Sequence, residues 1–214
     1  MTFYARYGKR AFDLAAAMGA LVALSPLLLV VAPLVAIKLG RPVLFRQRRT
    51  GYARRPFDIL KFRSMLDAVD ADGHALPDEM RLTPFGLKLR SSSVDELPGL
   101  LNILRGEMSI VGPRPFVHVY DPLYSTDQAR RFEARPGITG WAQVNGRNAI
   151  SWPEKFALDV WYVENRSFTL DLRIIWMTVR KVFGRHGINS SDAATMLPFR
   201  GETALPAGFD PNPS

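Results

Sequence analysis

Two adjacent carboxylates, Asp95 and Glu96, stand where a helix is expected to begin. Leucines at 97, 100, 101 and 104 recur at helical spacing and predict a helix over 94–105, which Gly106 ends. The first turn of a helix stabilises an anion, and a phosphate could be bound beside it. Acidic residues at a helix start are usually structural caps, so this pair alone does not define an active site.

The register of that helix start has two solutions. Ser93 as N-cap would form an S-x-x-E capping box with Glu96, but Pro98 would then forfeit an intrahelical hydrogen bond. With Asp95 as N-cap, Pro98 falls at the third helical position, where an amide has no intrahelical partner. Both registers place Asp95 in the positive end of the helix dipole.

Five basic residues in turns or at strand ends are candidates to hold a phosphate near this pair: Lys61, Arg63, Arg90, Arg114 and Arg147. A carboxylate that attacks a phosphoryl group meets like-charge repulsion, which cations or a metal ion must neutralise. The combination therefore suggests phosphoryl transfer, although each arginine taken singly is more ordinarily part of a surface ion pair.

Composition narrows the classes of function. The net charge is +8 and 22 of the 28 basic residues are arginine, which favours a phosphate-bearing partner: nucleic acid, anionic lipid or a phosphorylated substrate. The chain has no cysteine, which excludes disulfide scaffolds, cysteine-ligated zinc, iron–sulfur clusters and thiol catalysis. The three histidines lie too far apart in the sequence to form a helical His pair.

An uncharged apolar run from Leu14 to Ile37 is long enough to form a helix that crosses a bilayer core. Ser25-Pro26 lies in mid-run and should kink that helix, and basic residues flank both ends. A spanning helix usually has its basic excess on one side, so these flanks favour a re-entrant helix that enters and leaves the same membrane face. A plain signal anchor is the alternative, and a signal peptide is disfavoured because no A-x-A cleavage site follows.

The remaining elements predict an α+β fold, a small helix-rich domain with one β-hairpin. Residues 42–65 should form the hairpin, and residues 67–84 a loop. A capping box at Ser151 starts a helix, and another helix over 171–183 is either a core helix or an interfacial amphipathic one. Asn145-Gly146 is a hairpin-turn signal.

These elements suggest three parts of the chain. We expect a re-entrant membrane helix within 1–40, a domain that carries the Asp–Glu pair over 41–189, and a weakly ordered tail over 190–214.

Several strings are highly specific and occur in order along about four fifths of the chain: KRAFDLAAA, LSPLLLVVAPLVAIKLG, PVLFRQRRTG, FDILKFRSM, LRSSSVDELPGLLNILRGEMSIVGPRP, RPGITGWAQVNGRN and KFALDVWYVENRSFTLDLRII. With these strings the chain resembles the bacterial sugar transferases, the monotopic phosphoglycosyl transferases that act on polyprenyl phosphate. It resembles their short, minimal form.

The resemblance implies that a UDP-sugar and a polyprenyl (undecaprenyl) phosphate give polyprenyl-diphospho-sugar and UMP, with Mg²⁺ as cofactor. It gives Asp95 the role of nucleophile, forming a covalent phospho-sugar intermediate in a ping-pong scheme. Glu96 becomes its partner for metal binding or proton handling, and both carboxylates are candidate Mg²⁺ ligands. The family's basic positions match Lys61, Arg63, Arg114 and Arg147, and Asp159 matches an acidic position that could orient an arginine.

The resemblance also supports the re-entrant helix at Ser25-Pro26 and implies a location at the cytoplasmic face of the bacterial inner membrane. It implies that residues 41–189 are a catalytic domain on the cytosolic face. The reaction would be the first membrane step in the synthesis of an exopolysaccharide, O-antigen, capsule or glycoprotein glycan. Four positions depart from the usual family residues without touching the Asp–Glu pair: Val94, Gly99, Glu107 and Phe132.

Two other classes of function stay open at this point. A membrane-anchored nucleic-acid-binding protein would explain the charge, but the aromatic residues are scattered rather than interleaved with basic ones, so we expect no nucleic-acid partner. A catalytically inactive scaffold in a glycan assembly complex is the other, and the intact Asp–Glu pair argues against it. The sequence does not specify the sugar, and it is compatible with a homodimer.

Overall fold

The computed structural model describes residues 3–70, 72–74, 76–146, 150–184, 198–205 and 208–212. The fold is α+β and rich in helix, as predicted. Its α-helices are α1 Lys9–Leu39, α2 Asp78–Arg81, α3 Pro84–Ser91, α4 Leu100–Leu104, α5 Thr126–Ala129, α6 Trp141–Asn145, α7 Trp152–Asn165 and α8 Phe168–Gly184. Its strands are β1 Leu44–Thr50, β2 Pro56–Phe62, β3 Ser109–Val111 and β4 Gly137–Thr139. A π-helical turn, Tyr4–Gly8, precedes α1, and short 3₁₀ helices span Tyr52–Arg54, Val94–Gly99, His118–Leu123 and Arg130–Glu133.

The apolar N-terminal run forms one helix, α1, which continues through both of its prolines. Pro26 has no amide to donate to the carbonyl of Val22, one turn earlier. The hydroxyl of Ser25 donates to that carbonyl at 2.8 Å, so the neighbouring serine satisfies the orphaned acceptor. Within the described residues, Tyr4–Leu39 is the one helical segment long and apolar enough to cross a membrane.

One face of α1 packs on the rest of the domain near both of its ends. Ala17 belongs to a core cluster with Ile103 and Met108, and Val35 belongs to a second cluster with Phe62 and Leu89. The opposite face carries large exposed apolar side chains: Val22, Leu29, Val30 and Ile37. The helix is thus a core element on one side and an uncovered apolar surface on the other.

A buried polar network fixes the start of α1. Lys9 Nζ lies 2.7 Å from Asp171 Oδ2 and 3.7 Å from Asp13 Oδ1. Asp13 accepts a hydrogen bond from the Ser109 hydroxyl at 2.9 Å, and Asp171 accepts one from the Tyr162 hydroxyl at 2.7 Å. Because buried charges require partners, these contacts fix the helix start relative to β3, α7 and α8.

The predicted hairpin is confirmed as the antiparallel pair β1–β2, in which Lys61 lies opposite Phe45. Buried Asn102 on α4 connects to the backbone of β2: its Nδ2 donates to Asp58 O at 2.8 Å and its Oδ1 accepts from Leu60 N at 3.0 Å. These two bonds hold the segment that follows the Asp–Glu pair against the strand that carries Lys61.

The single helix predicted over 94–105 is wrong. The chain forms a 3₁₀ helix, Val94–Gly99, followed by the short α4. Pro98 lies inside this 3₁₀ segment and has no amide to donate to a carbonyl one turn earlier. The capping box is also absent, since Ser93 has φ of 57° and its side chain accepts no capping hydrogen bond. Asp95 nevertheless lies in the first helical turn, as both registers required.

The hairpin expected at Asn145-Gly146 is wrong as well. Asn145 ends α6, where its Nδ2 donates to Trp141 O at 2.9 Å, and the Gly146 amide closes the helix onto Ala142 O.

Just before α6, β4 pairs in parallel with β3. That approach needs glycine, because a Cβ on Gly137 would lie 2.1 Å from the Gly112 amide nitrogen.

The helices at the C-terminal end of the domain follow the prediction. Ser151 and Glu154 form the expected capping box of α7. Helix α8 packs on the core through buried Ile174, and its outer face carries an exposed apolar stripe of Phe168, Leu172, Trp176 and Val179. Its interfacial position at a membrane remains a prediction. In the expected weakly ordered tail, Phe199 is buried in an aromatic cluster. The three proposed parts of the chain remain a prediction.

The loop expected over 67–84 contains the short helix α2 and leads into α3, a helix absent from the sequence-based prediction. The start of α3 has a recognisable signal, because Thr83 accepts from the Gly86 amide at 3.1 Å and Pro84 is the first helical residue.

Candidate active site

The Asp–Glu pair meets the predicted cations at the edge of β2. Glu96 Oε1 accepts hydrogen bonds from Lys61 Nζ at 2.6 Å and from Arg114 Nη2 at 3.0 Å. These two cations replace the serine cap as partners of Glu96, because charge-assisted bonds are stronger than a bond to a neutral amide. Residues far apart in the sequence, on β2, the 3₁₀ helix and the loop after β3, are thus brought together.

Asp95 lies beside this cluster, and the surroundings of its carboxylate differ from those of Glu96. It is buried, with 7% of its surface exposed, yet its carboxylate accepts no hydrogen bond from any residue that the structure describes. Burial, and the adjacent charge of Glu96, raise the pKa of Asp95, and the cations Lys61, Arg90 and Arg114 partly offset that rise. A carboxylate that is partly withdrawn from water, near several cations and without a hydrogen-bond donor is suited to act as a nucleophile.

Glu96 has the opposite electrostatics. Burial alone would raise its pKa, but Arg114 and Lys61 outweigh that effect and lower the pKa of Glu96 to about 2. The carboxylate of Glu96 in turn raises the pKa of Arg114. Glu96 therefore stays ionised at neutral pH and is poorly suited to proton transfer. Of the two roles left open for it, the geometry favours charge and metal binding over proton handling.

Asp159 forms a buried ion pair with an arginine, Arg131. Arg131 donates to Asp159 Oδ2 from Nη2 at 2.6 Å and from Nε at 3.1 Å, and its Nη2 also donates to the backbone carbonyl of Arg114 at 2.6 Å. The guanidinium lies within 6 Å of four aromatic rings, those of Phe116, Tyr124, Phe132 and Phe156. This buried pair holds the Gly-Pro-Arg-Pro loop at the backbone, so that the Arg114 side chain can reach Glu96.

The other predicted cations lie elsewhere. Arg90 donates from Nε to Ser64 Oγ at 3.0 Å and contributes to the electrostatics of Asp95 from α3. Arg63 does not contact the Asp–Glu pair, since its Nε donates to Pro42 O and its Nη1 lies 3.4 Å from Asp67. Arg147 lies outside the described residues.

Sequence reasoning missed two arginines of this region. Arg131 carries no periodic or motif signal that separates it from Arg130. Arg49 is one of several arginines in the hairpin sequence, and nothing in the sequence distinguishes it from them, but its side chain lines the pocket at the site. That pocket has a volume of about 360 Å³, including its open mouth. Charged and apolar side chains line it: Arg49, Ile59, Lys61, Glu96, Gly99, Met108, Arg114, Pro115, Gly137 and Ile138.

The carboxylates present fit a magnesium ion. Both hydrogen bonds to Glu96 end on Oε1, so Oε2 and both oxygens of Asp95 have no protein donor among the described residues. Carboxylate oxygens are the protein ligands that Mg²⁺ prefers, usually together with substrate phosphates. A second acidic group, Asp70, Asp72 and His74, lies on an exposed turn and is held by its own backbone hydrogen bonds.

A family model described as bacterial sugar transferase matches residues 4–185. Because this match covers most of the chain, the protein belongs to the bacterial sugar transferase family.

Relatives with different names align along most of the chain. This chain is 53% identical over 193 residues to the uncharacterized sugar transferase EpsL of Bacillus subtilis (strain 168), and the alignment covers 90% of this chain and 96% of the relative. It is 41% identical over 181 residues to the UDP-glucose:undecaprenyl-phosphate glucose-1-phosphate transferase of Caulobacter vibrioides, covering 80% and 68%. It is 38% identical over 191 residues to the UDP-N-acetylgalactosamine-undecaprenyl-phosphate N-acetylgalactosaminephosphotransferase of Aeromonas hydrophila, covering 84% and 44%.

Proposed function

We propose that this protein transfers a sugar-1-phosphate from a UDP-sugar to polyprenyl phosphate and releases UMP. The observation that carries the proposal is the buried, unpartnered carboxylate of Asp95 beside Glu96, Lys61 and Arg114. Membership of the sugar transferase family supports it, as do two relatives whose names include undecaprenyl phosphate. The product would be the first membrane-bound intermediate in the synthesis of a glycoconjugate.

In the first half-reaction, an oxygen of the Asp95 carboxylate attacks the phosphorus that bears the sugar. A bond forms between that oxygen and phosphorus, and the bond from phosphorus to the oxygen bridging to UMP breaks. The electron pair stays on UMP, which leaves as the free nucleotide. The enzyme then carries an acyl phosphate ester of the sugar on Asp95, and no proton is transferred in this step.

In the second half-reaction, a phosphate oxygen of polyprenyl phosphate attacks the same phosphorus. The new phosphorus–oxygen bond gives polyprenyl-diphospho-sugar, and the bond to Asp95 breaks with its electron pair returning to the carboxylate. The free nucleophile is thereby regenerated. Because UMP leaves before the lipid phosphate attacks, the two substrates would follow ping-pong kinetics.

The neighbouring residues supply charge and position. Lys61 and Arg114, fixed by Glu96, neutralise the diphosphate as the negatively charged nucleophile approaches it. Arg90, which lies on α3, adds positive charge near Asp95. When bound, Mg²⁺ would be held by Asp95 and Glu96 and would neutralise further charge on the diphosphate.

Attachment to the membrane is proposed to be re-entrant, with the site on the cytoplasmic face. Ala17 and Val35, on the two halves of α1, pack against the same globular domain, which supports entry and exit on one side. The exposed stripe on α8, with Trp176 at its centre, is suited to the membrane interface. A lipid phosphate could then reach Asp95 while its polyprenyl chain stays in the bilayer.

The test is UMP release by the protein purified in nanodiscs with Mg²⁺, across a panel of UDP-sugars with undecaprenyl phosphate as acceptor. We expect release with one or two sugars, and loss of at least about 10³-fold in Asp95→Asn, which has no carboxylate nucleophile. A radiolabelled sugar phosphate should remain attached to the wild-type protein when the acceptor is omitted. Unchanged activity in Asp95→Asn would remove it as the nucleophile.

A further inference from the structure

The pocket at the site holds more positive charge than its own carboxylate neutralises. Arg49, Lys61 and Arg114 line it together with one acidic residue, Glu96. Lys61 and Arg114 share Glu96 through the same oxygen. Arg49 forms no ion pair with any residue that the structure describes, although its pKa responds to the charges of both Arg114 and Glu96. The pocket therefore carries an excess of about two positive charges, which an anion would balance.

Arg49 is held in place without being satisfied. Its two terminal nitrogens donate to neutral acceptors, Nη1 to Pro115 O at 3.2 Å and Nη2 to Gln47 Oε1 at 2.5 Å. Its Nε is buried and donates to no residue within the described part of the chain. Burial, and the like charge of Arg114, lower the pKa of Arg49 to about 10, so it stays protonated at neutral pH. A buried, charged N–H donor without an acceptor costs free energy unless a ligand or a water molecule accepts its hydrogen bond.

The position of Arg49 suggests which anion binds its side chain. Arg49 reaches Pro115, which adjoins Arg114 in the Gly-Pro-Arg-Pro loop, and so it lies on the Glu96 side of the pair. Arg90 approaches Asp95 from α3, a different element, and does not line this pocket. If Asp95 attacks the phosphate that bears the sugar, the second phosphate of the donor must lie away from Asp95, among the cations of the pocket.

We propose that Arg49 binds the nucleotide phosphate of the UDP-sugar and retains it in UMP after the phosphorus–oxygen bond breaks. This inference rests on the proposed function, because it assigns the two donor phosphates to two sides of the same site. It makes Arg49 a residue of the first half-reaction, with no contact to the polyprenyl phosphate that enters later. The other hairpin arginines, which face outward, have no such role.

Arg48 provides a matched control. It precedes Arg49 on the same strand, is mostly exposed and forms a surface ion pair with Asp58 at 3.5 Å. Arg48→Gln and Arg49→Gln thus remove the same charge from opposite faces of β1. We expect Arg49→Gln to lower kcat/KM for the UDP-sugar by about 10- to 100-fold and to weaken inhibition by UMP by a similar factor. KM for undecaprenyl phosphate should change less than about twofold, and Arg48→Gln should match wild type in all three.

Arg49→Lys keeps the charge but loses the planar donors, so an intermediate loss of UMP affinity is expected. It also serves if Arg49→Gln folds poorly, which thermal denaturation of each variant would reveal. Direct titration of UMP into each variant separates the two proposals, because it needs no turnover. Absence of turnover in wild type would refute the proposed function, whereas UMP binding as tight in Arg49→Gln and Arg49→Lys as in Arg48→Gln would refute the role of Arg49.

Discussion

Replacing Glu96 with glutamine tests whether this residue positions cations or transfers a proton. Glutamine keeps an oxygen that Lys61 and Arg114 can reach, but each bond to it changes from charge-assisted to ordinary. That difference is about 1–1.5 kcal/mol per bond, and we take its lower end because the Arg114 side chain is 43% exposed. Two weakened bonds then give about 2 kcal/mol, which corresponds to a rate about 30-fold lower.

The same substitution should shift the pH dependence in a defined direction. In the proposed mechanism Asp95 attacks in its ionised form, so the rate of the first half-reaction is expected to fall as the pH decreases through the pKa of Asp95. That pKa is raised by burial and by the charge of Glu96. Removing this charge, and leaving Lys61 and Arg114 unneutralised, both favour ionised Asp95. The acid limb of the profile should therefore move to lower pH in Glu96→Gln.

The assay is the pre-steady-state burst of UMP without acceptor, measured from pH 4 to pH 9. Omitting undecaprenyl phosphate removes the titration of the lipid phosphate from the profile. Glu79→Gln, the same change at an exposed position on α2, should leave both rate and profile as in wild type. An acid limb that moves to higher pH, or a basic limb lost only in Glu96→Gln, would refute the positioning role and restore proton transfer by Glu96.

Two further predictions concern the scaffold and the membrane helix. The side chains of Arg131 and Asp159 are 1% and 2% exposed, so Arg131→Met should destabilise the fold by about 3–5 kcal/mol by leaving a buried charge unpaired. Combining it with Asp159→Leu should recover most of the loss in chemical denaturation, and a double variant as unstable as the single one would contradict this explanation. Because the chain has no cysteine, Arg6→Cys and Arg41→Cys can each be labelled alone. In inside-out vesicles an impermeant maleimide should label both, whereas labelling of only one would indicate a spanning helix.

Much of this protein could be predicted locally because the relevant forces act between near neighbours. The capping box at Ser151, the strand-forming run of β2 and the apolar run of α1 each depend on residues a few positions apart. The Asp–Glu pair and the Gly-Pro-Arg-Pro loop were likewise identified from short strings. The hydroxyl of Ser25 satisfies the carbonyl freed by Pro26 for the same local reason.

The errors arose where local preference competed with distant partners. The S-x-x-E string favours a capping box, but Glu96 binds Lys61 and Arg114, 35 and 18 residues away, so the box is absent. Asn145-Gly146 favours a hairpin in isolation, whereas the chain before it forms helix α6. In both cases a tertiary or neighbouring structure outweighed a preference of a few tenths to about 2 kcal/mol.

The sequence by itself therefore determined the family, the long apolar helix and the position of the Asp–Glu pair. The tertiary structure alone decided which charged side chains pair with one another and which stay unpaired. It left Asp95 without a hydrogen-bond partner, used Glu96 to fix two cations, and separated Arg49 from the solvent-facing arginines beside it. The physical reason is that burial and pairing set the state of an ionisable group, and both depend on residues that are distant in the chain.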